Sequence, residues 1–484
     1  MIGHVLALLY FIFSVLLLPY GYNCFLMVYG ARIYKSESLD PVENHPKVTV
    51  QLPVYNERLV ISRLIRSVCA LKWPKDRLEI LVLDDSDDET SRIIDGEIDA
   101  FRSQGFDIKA IRRGERMGFK AGALQNALSH STGKYIAIFD ADFMPPIDFL
   151  EKVIPHLEED PTLGFVQTRL GHTNREFNKL SEVIAIAIDG HFLVEQTGRD
   201  ALSMAINFNG SGGVLRKDAI EDAGGWSTDV VTEDLEMSFK MRLKGWGSKY
   251  LRDVSVPGEV PIGITAFKNQ QARWAAGGAQ CARKLLWRIW RSKFFNFKQK
   301  VEATIHLTNY FIYSFMFLSL LILVLLLLLG GVPYMMVNYP FGVLFSIGTF
   351  GASMMYAFSI IVQKMDLKAN ISNLSLLAAI GVGISPVCSL SILKGLFIKK
   401  KEFVTTPKYN ITGKSVEGLS MLYGQLCKMP VTEIMMSLYS ILGVYFAILH
   451  GVFTLIPTFI VYLLGFSVII YFTLLHPKII GLKK

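Results

Sequence analysis

Cysteine and charge are both scarce in this chain. Five cysteines (Cys24, Cys69, Cys281, Cys388 and Cys427) are scattered over 484 residues, and no two form a C-x-x-C pair. That argues against a disulfide scaffold and gives no zinc-ligand spacing, so thiols in a reducing compartment are expected. Charged residues make up 19%, against roughly 25% in an ordinary soluble domain. No G-x-G-x-x-G follows the first expected strand, and no G-x-x-x-x-G-K-[ST] occurs anywhere. Both absences weigh against a dinucleotide oxidoreductase and a P-loop ATPase. Nor do basic residues gather on one helix with aromatics between them, so nucleic acid is not an expected partner. What is abundant is apolar: 51% of residues are hydrophobic and the mean hydropathy is +0.35. A wholly soluble protein is therefore not expected.

The apolar excess is concentrated in a few segments. Residues 4–29 (HVLALLYFIFSVLLLPYGYNCFLMVY) are too long for a signal-peptide core and no small-residue cleavage site follows. About 20 apolar residues cross the hydrocarbon, so residues 1–30 are expected to hold an N-terminal spanning helix. Further spans are expected over 305–330, 341–363, 433–454 and 456–475, within a membrane block of residues 303–484. Residues 31–302 carry most of the acidic side chains and form an ordinary soluble domain between them. Arg32 and Lys35 follow the first helix and place that domain on the cytoplasmic side of the cell membrane, so the formal net charge of +8 reads as topology. One apolar stretch, 372–397, fits a span poorly. Crossing there would put Lys399, Lys400 and Lys401 outside, and the stretch holds Asn373, Pro386, Lys394 and several serines. It is expected to lie in or dip into the cytoplasmic interface, leaving five spans. A plain sixth span is the alternative.

Within residues 31–302, short apolar runs alternate with amphipathic ones. KVTVQLP (47–53), LEILVLD (78–84), DIKAIRR (107–113) and KYIAIFD (134–140) read as strands. The segments 57–71, 88–105 and 120–131 read as helices. Such alternation predicts an α/β domain with a mostly parallel sheet. Ligands in these sheets sit beyond the carboxyl ends of the strands. Polar groups fall at those ends in order: Pro53-Val54-Tyr55-Asn56-Glu57, then Asp84-Asp85-Ser86, then RRGERMGFKAG with Lys120, then Asp140-Ala141-Asp142.

These residue types suit a phosphorylated, cation-bound ligand. Asp140 and Asp142, one residue apart, can converge on Mg²⁺ or Mn²⁺, which carboxylates and substrate phosphates commonly share. Alone, a D-x-D pair also reads as two solvated loop carboxylates. Lys120 at a helix start can hold diphosphate oxygens, and Asp84 and Asp85 can accept from a nucleobase or ribose. Thr232-Glu233-Asp234 opens another helix. Its plain reading is an N-cap with acidic residues favoured by the helix dipole. Its chemical reading is a general base, Asp234. Gln270, Arg273 and Trp274 share one helix face and combine a diphosphate fork with a sugar-stacking plane. A membrane-edge amphipathic helix reads equally well there, because Trp287, Arg288 and Trp290 follow. His191 and Glu195, at i and i+4, line an acceptor cleft or are polar residues of a packed helix.

Taken in order, Asp84-Asp85, Lys120-Ala121-Gly122, Asp140-Ala141-Asp142, Thr232-Glu233-Asp234, the Q-x-x-R-W of Gln270 to Trp274, and FVTTPK (Phe403 to Lys408) are a set. The chain resembles the membrane-integrated family 2 glycosyltransferases, the cellulose, mannan and hyaluronan synthases, and within them the mannan/glucomannan synthase-like group. The resemblance runs from about residue 47 to the end. It implies a GT-A fold plus α-helical membrane segments, and an inverting hexosyl transfer from a nucleotide sugar of GDP-mannose or UDP-glucose type. It implies donor contacts at Asp84, Asp85, Lys120, Gln270 and Arg273, a metal at Asp140 and Asp142, and Asp234 as base. It also implies acceptor contacts at Trp274, Asn209 and Gly210, and a gating-like loop over 402–410 that brings Thr405 and Lys408 to the nucleotide. The expected product is a β-linked polysaccharide made processively and passed through the bilayer. The alternative is transfer of one sugar to a lipid acceptor. The chain lacks the cysteine-rich module of plant cellulose synthases, and only His476 to Lys484 follow the last expected span.

Overall fold

LEILVLD is the plainest strand in the sequence, and a computed structural model of the chain shows why. Every residue of this strand, Leu78–Asp84, is buried, because helices cover both faces of the sheet. Ile80 and Val82 point into one apolar cluster, with Val50, Leu52 and Ile65. Leu81 and Leu83 point into the other, with Leu124, Ile136 and Phe208. The structure describes residues 2–330, 339–398, 408–411 and 429–474, with the backbone alone over 339–349. Thr405, most of the loop 402–410, the lysines at 399–401 and those after residue 477 lie outside the described residues.

Seven strands make the sheet: β1 (Val48–Val54), β2 (Leu78–Asp84), β3 (Asp107–Arg112), β4 (Tyr135–Ile138), β5 (Leu163–His172), β6 (Gly213–Arg216) and β7 (Gly247–Gly258). Their order is β3-β2-β1-β4-β6-β5-β7. β1 runs parallel to β2 and β4, β2 to β3, and β5 to β7. β6 alone runs antiparallel, to both β4 and β5. The sheet is therefore mixed, with mostly parallel pairs. The first four strands agree with the sequence to within two residues. The helices are shorter than their patterns, for example Ile61–Cys69 against the expected 57–71.

The N-terminal helix runs from Ile2 to Ile33, and 32 residues rise roughly 48 Å. Among the described residues, four helices are long and apolar enough to cross a membrane: Ile2–Ile33, Phe311–Leu328, Val431–Leu449 and Phe453–Leu474. A further helix covers Tyr339–Val362. The expected span 305–330 starts later than its hydropathy, because residues up to Leu307 belong to a separate helix, Phe297–Leu307, and the chain turns before Phe311. The stretch 372–397 is two helices, Ile371–Gly383 and Ser385–Phe397, bent by 47°. Pro386 in the first turn of the second half marks the break. Each half has 13 residues and rises about 20 Å, short of the ~30 Å hydrocarbon core.

The long helix Ile264–Arg291 ties the sheet domain to these segments. Its Lys268 pairs with Glu433 of Val431–Leu449, and its Arg283 donates to the Leu396 carbonyl of the bent pair. On the other side, Gln363 Nε2 donates to buried Asp189 at 3.0 Å.

Candidate active site

A cavity of about 1020 Å³ opens at the carboxyl ends of β1 and β4 and continues between the apolar helices. Asp140, Asp142, Lys120, Asn209, Asp234, Gln270, Arg273, Trp274 and Lys408 all line it. Residues spread over 288 positions of sequence, from Lys120 to Lys408, thus meet in one place, because the strand ends, the start of helix Glu233–Lys244 and the helix Ile264–Arg291 face the same space.

Two of its lining side chains, Lys120 and Asp234, meet at Gly210, the glycine after Asn209. Lys120 Nζ donates to Asp140 Oδ1 at 2.5 Å and to the Gly210 carbonyl at 2.8 Å. Beside the same glycine stands Asp234. A Cβ placed on Gly210 would lie 2.8 Å from Asp234 Oδ2 and 3.1 Å from Lys120 Nζ, and the glycine holds φ +77°. Burial lowers the Lys120 pKa, but Asp140, Glu233 and Asp234 outweigh it, so the ammonium is held above its usual range. Burial raises the carboxyl pKa of Asp234, with Lys120 opposing. Glu233, beside it on the cavity wall, is raised for the same reason. Thr232 does not cap the helix with its side chain; its hydroxyl lies 3.5 Å from Cys281 Sγ instead. The plain capping reading of this motif thus loses its side-chain bond.

Asp142 is buried. Its Oδ2 accepts from the Glu259 backbone N–H at 2.7 Å, and its Oδ1 lies 2.9 Å from Lys408 Nζ. Asp140 is more open, with 37% of its side chain exposed. Among the described residues no cluster of three His, Cys, Asp or Glu forms an all-protein metal cage. An oxygen-only pair still fits a hard cation whose remaining ligands are water and phosphate oxygens. Gln270 Oε1 is buried with no partner among the described residues, and Gln271 Oε1 accepts from Tyr310 at 2.9 Å. Burial lowers the Arg273 pKa, against the pull of Glu233, Asp140 and Asp234.

Asp84 and Asp85 stand apart from the cavity wall, and Gly210 is not on it either but borders it through Asn209, Lys120 and Asp234. Asp84 Oδ2 accepts from Ser91 Oγ at 2.7 Å and Arg112 Nε at 2.8 Å, while Oδ1 accepts from the Ser86 N–H at 3.0 Å. Asp85 is gripped by Arg113 through Nε at 3.0 Å and a second N–H. Their carboxylates organise the turn after β2 and hold its arginines.

Some lining residues carried no assigned role in the sequence. The Arg116 guanidinium lies 3.3 Å from the centre of the Tyr55 ring, a cation–π plane at the rim. Enclosure pushes the Glu57 carboxyl up to about 8, with Lys408 opposing and Asp142 adding. Both sit inside strings quoted above, PVYNE and RRGERMG, without a spacing that marks them. Glu259 gave no signal. It accepts from the backbone N–H groups of Tyr409 and Ile411 at 2.9 and 3.2 Å, and so seats the chain that carries Lys408.

Comparison with known proteins identifies the domain. Residues 49–219 match the family described as Glycosyl transferase family 2, and residues 135–361 match Glycosyl transferase family group 2. A mannosyltransferase from Pyrobaculum calidifontis, solved in complex with GDP-Man and Mn²⁺, aligns over 74% of this chain and 98% of its own, with a TM-score of 0.53 and 23% identity. That likeness is one of fold. Strand order and neighbour together give a sheet domain of the GT-A fold, and residues 49–219 of it are similar to family 2 glycosyltransferases. Curated relatives narrow it further. Probable glucomannan 4-beta-mannosyltransferase 11 of Arabidopsis thaliana is 40% identical over 279 residues, covering 57% of this chain and 61% of that protein. Glucomannan 4-beta-mannosyltransferase 2 of the same plant is 40% identical over 278 residues, covering 57% and 51%. The matched region spans about half to three fifths of these relatives. The chain is thus similar to family 2 glycosyltransferases, and among them to the mannan synthase-like members.

Proposed function

We propose that this protein transfers a mannosyl unit from a nucleoside-diphosphate sugar of GDP-mannose type onto the end of a β-linked glycan, with inversion at the anomeric carbon. The observation that carries this reading is the arrangement around Gly210. A carboxylate suited to act as base and a lysine–aspartate pair suited to a diphosphate meet beside one glycine.

Asp234 takes the proton of the acceptor hydroxyl. The freed oxygen bonds to the anomeric carbon, and the bond from that carbon to the diphosphate breaks. The nucleoside diphosphate leaves with the electron pair. Lys120 and Arg273 hold its oxygens, and Gln270 supplies a further polar contact from the same helix. Asp140 and Asp142 would hold Mg²⁺ or Mn²⁺, which when bound neutralises charge building on the leaving group. Lys408, held at Asp142, closes the site from the far side. Attack opposite an α-linked leaving group gives a β-linkage.

The cavity supports a polymer product. Beyond the site it passes Tyr310, Tyr313, Tyr356, Ser319 and Tyr462, aromatic faces and hydroxyls that suit a sugar chain more than an acyl chain. The reading includes a cytoplasmic catalytic face at the cell membrane and a bent helix pair that dips into the interface. The test incubates the purified chain with radiolabelled GDP-mannose, UDP-glucose and UDP-GlcNAc separately, with Mn²⁺ or Mg²⁺, and sizes the product. Polymer from GDP-mannose supports the reading. Incorporation only from a UDP sugar would replace the donor, and a discrete glycolipid would replace the acceptor.

A further inference from the structure

A connected set of polar side chains lies just behind the acceptor side of the cavity. It starts where a helix loses its regular winding. Residues Gly190–Gln196 form a π-helical turn between Lys179–Asp189 and Thr197–Ala201. Such turns are rare, and they concentrate where a side chain must be re-aimed. This one brings His191, Glu195 and Gln196 to the loop Asn207–Gly210.

The hydrogen-bond network assigns each atom's role. Burial favours the neutral form of Glu195, but Arg199 and His191 outweigh it, so its carboxylate is ionised and only accepts. His191 Nδ1, 2.8 Å from Glu195 Oε2, therefore carries the proton. In the neutral ring Nε2 is then bare, and it accepts from Asn209 Nδ2 at 3.1 Å. Gln196 Nε2 donates to Asn209 Oδ1 at 2.8 Å and to the Asn207 carbonyl at 2.6 Å. Gln167 Oε1 accepts from the Asn209 backbone N–H at 2.9 Å. The set is anchored at its far end, where Arg199 Nε donates to buried Glu302 at 2.7 Å.

Asn209 therefore has its backbone N–H, its amide oxygen and one amide N–H committed. Its second amide N–H is on the side chain that lines the cavity, one residue before the glycine that faces Asp234. The geometry points to His191, Glu195 and Gln196 as positioning residues that lock the Asn209 amide as a hydrogen-bond donor to a hydroxyl of the acceptor sugar. This rests on the transferase reading above and deepens it. The group it selects is an uncharged oxygen acceptor on the terminal sugar. Without His191 the amide N–H side loses its partner, and only the Gln196 bond to Oδ1 holds the amide in place.

Transfer from GDP-mannose to an added β-linked mannan oligosaccharide tests this, with donor and acceptor dependence measured separately. His191→Phe removes both ring contacts. It is expected to raise the acceptor KM about tenfold, the worth of roughly one buried hydrogen bond, while the donor KM stays within about twofold. His191→Gln keeps an oxygen for Asn209 and an N–H for Glu195, and is expected to recover most of that loss. Asn209→Ala should match His191→Phe, and the double variant should be no worse than either single one. An unchanged acceptor KM in His191→Phe or Asn209→Ala overturns the assignment. So does an equal rise in donor KM, or failure of His191→Gln to rescue. If His191→Phe does not fold, Asn209→Ala and His191→Gln still decide it. A wild-type chain inactive with every nucleotide sugar would sink the transferase reading, and the positioning role with it.

Discussion

Asp234 must be ionised to accept a proton, and its burial favours the neutral acid. The rate should therefore fall as pH drops through its raised pKa, and the acid limb should lie above the ordinary carboxylate value of about 4. Asp234→Asn should remove that limb and cost on the order of 10³ in kcat with little change in donor KM. A pH–rate profile of both proteins checks it, and an acid limb unchanged in the variant would reassign the base, with Glu233 the next candidate. Gly210 carries a steric demand as well. Alanine there meets Asp234 and Lys120 and needs a left-handed backbone, which costs about 1–2 kcal/mol. Gly210→Ala should lose activity at least as severely as Lys120→Ala while keeping its elution profile on size exclusion. Lys120, Asp140, Asp142 and Asp234 could be picked out in the sequence because each follows a strand or opens a helix. Asp84 shows the limit of that reading. Its motif is plain, but β2 pairs with β3 so that Asp84 lies opposite Arg112, and that register decides what its carboxylate does. Glu259 shows the other limit. Its role depends on β7 ending beside Asp142 and on a chain segment about 150 residues further on, and no local pattern encodes either.

At the scale of elements, the parallel part of the sheet was legible because buried strands between two helical layers have almost continuous apolar runs. β6 was not. It has four residues, it follows a glycine-bearing loop, and its antiparallel direction is set by tertiary packing between β4 and β5. The long apolar stretches were read correctly as helices, but hydropathy cannot see the turn between Leu307 and Phe311 or the bend near Ile384. Those ends depend on hydrogen bonds, such as Ser385 Oγ donating to the Val382 carbonyl at 2.7 Å. The short helix Thr197–Ala201 is pinned to Phe297–Leu307 by the fully buried Arg199–Glu302 pair. Removing one partner strands the other charge, which costs about 3–5 kcal/mol. Arg199→Met should therefore lower the apparent Tm in detergent by several degrees. Replacing both residues, Arg199→Met with Glu302→Leu, should recover part of that loss. A double variant less stable than the single one would show that packing, and not the stranded charge, sets the cost.

For the whole molecule, one cavity joins the chemistry to the apolar helices, and this makes two expectations about the same path. If the bent pair Ile371–Gly383 and Ser385–Phe397 dips and returns, five segments cross and the C-terminus lies on the same side as the sheet domain, which is the cytoplasm in the proposed reading. A C-terminal reporter active only outside the cell should then stay silent, and a signal would establish a sixth crossing. The second expectation concerns the product. Ser319 sits well along the cavity from Asp234, on helix Phe311–Leu328, with a buried hydroxyl that has no partner among the described residues. A sugar chain leaving the site toward the membrane would pass it, and that hydroxyl stands with the tyrosines there to meet it. Indole at this position narrows the path without touching the strand ends, the base or the lysines around Gly210. Ser319→Trp should therefore leave donor KM unchanged and the first transfer near wild-type rate, while product length falls sharply on a sizing gel. The same protein acting on a lipid by single transfers would give one product size before and after the change. A distribution of long products unaffected by the tryptophan would mean that the glycan leaves by another route.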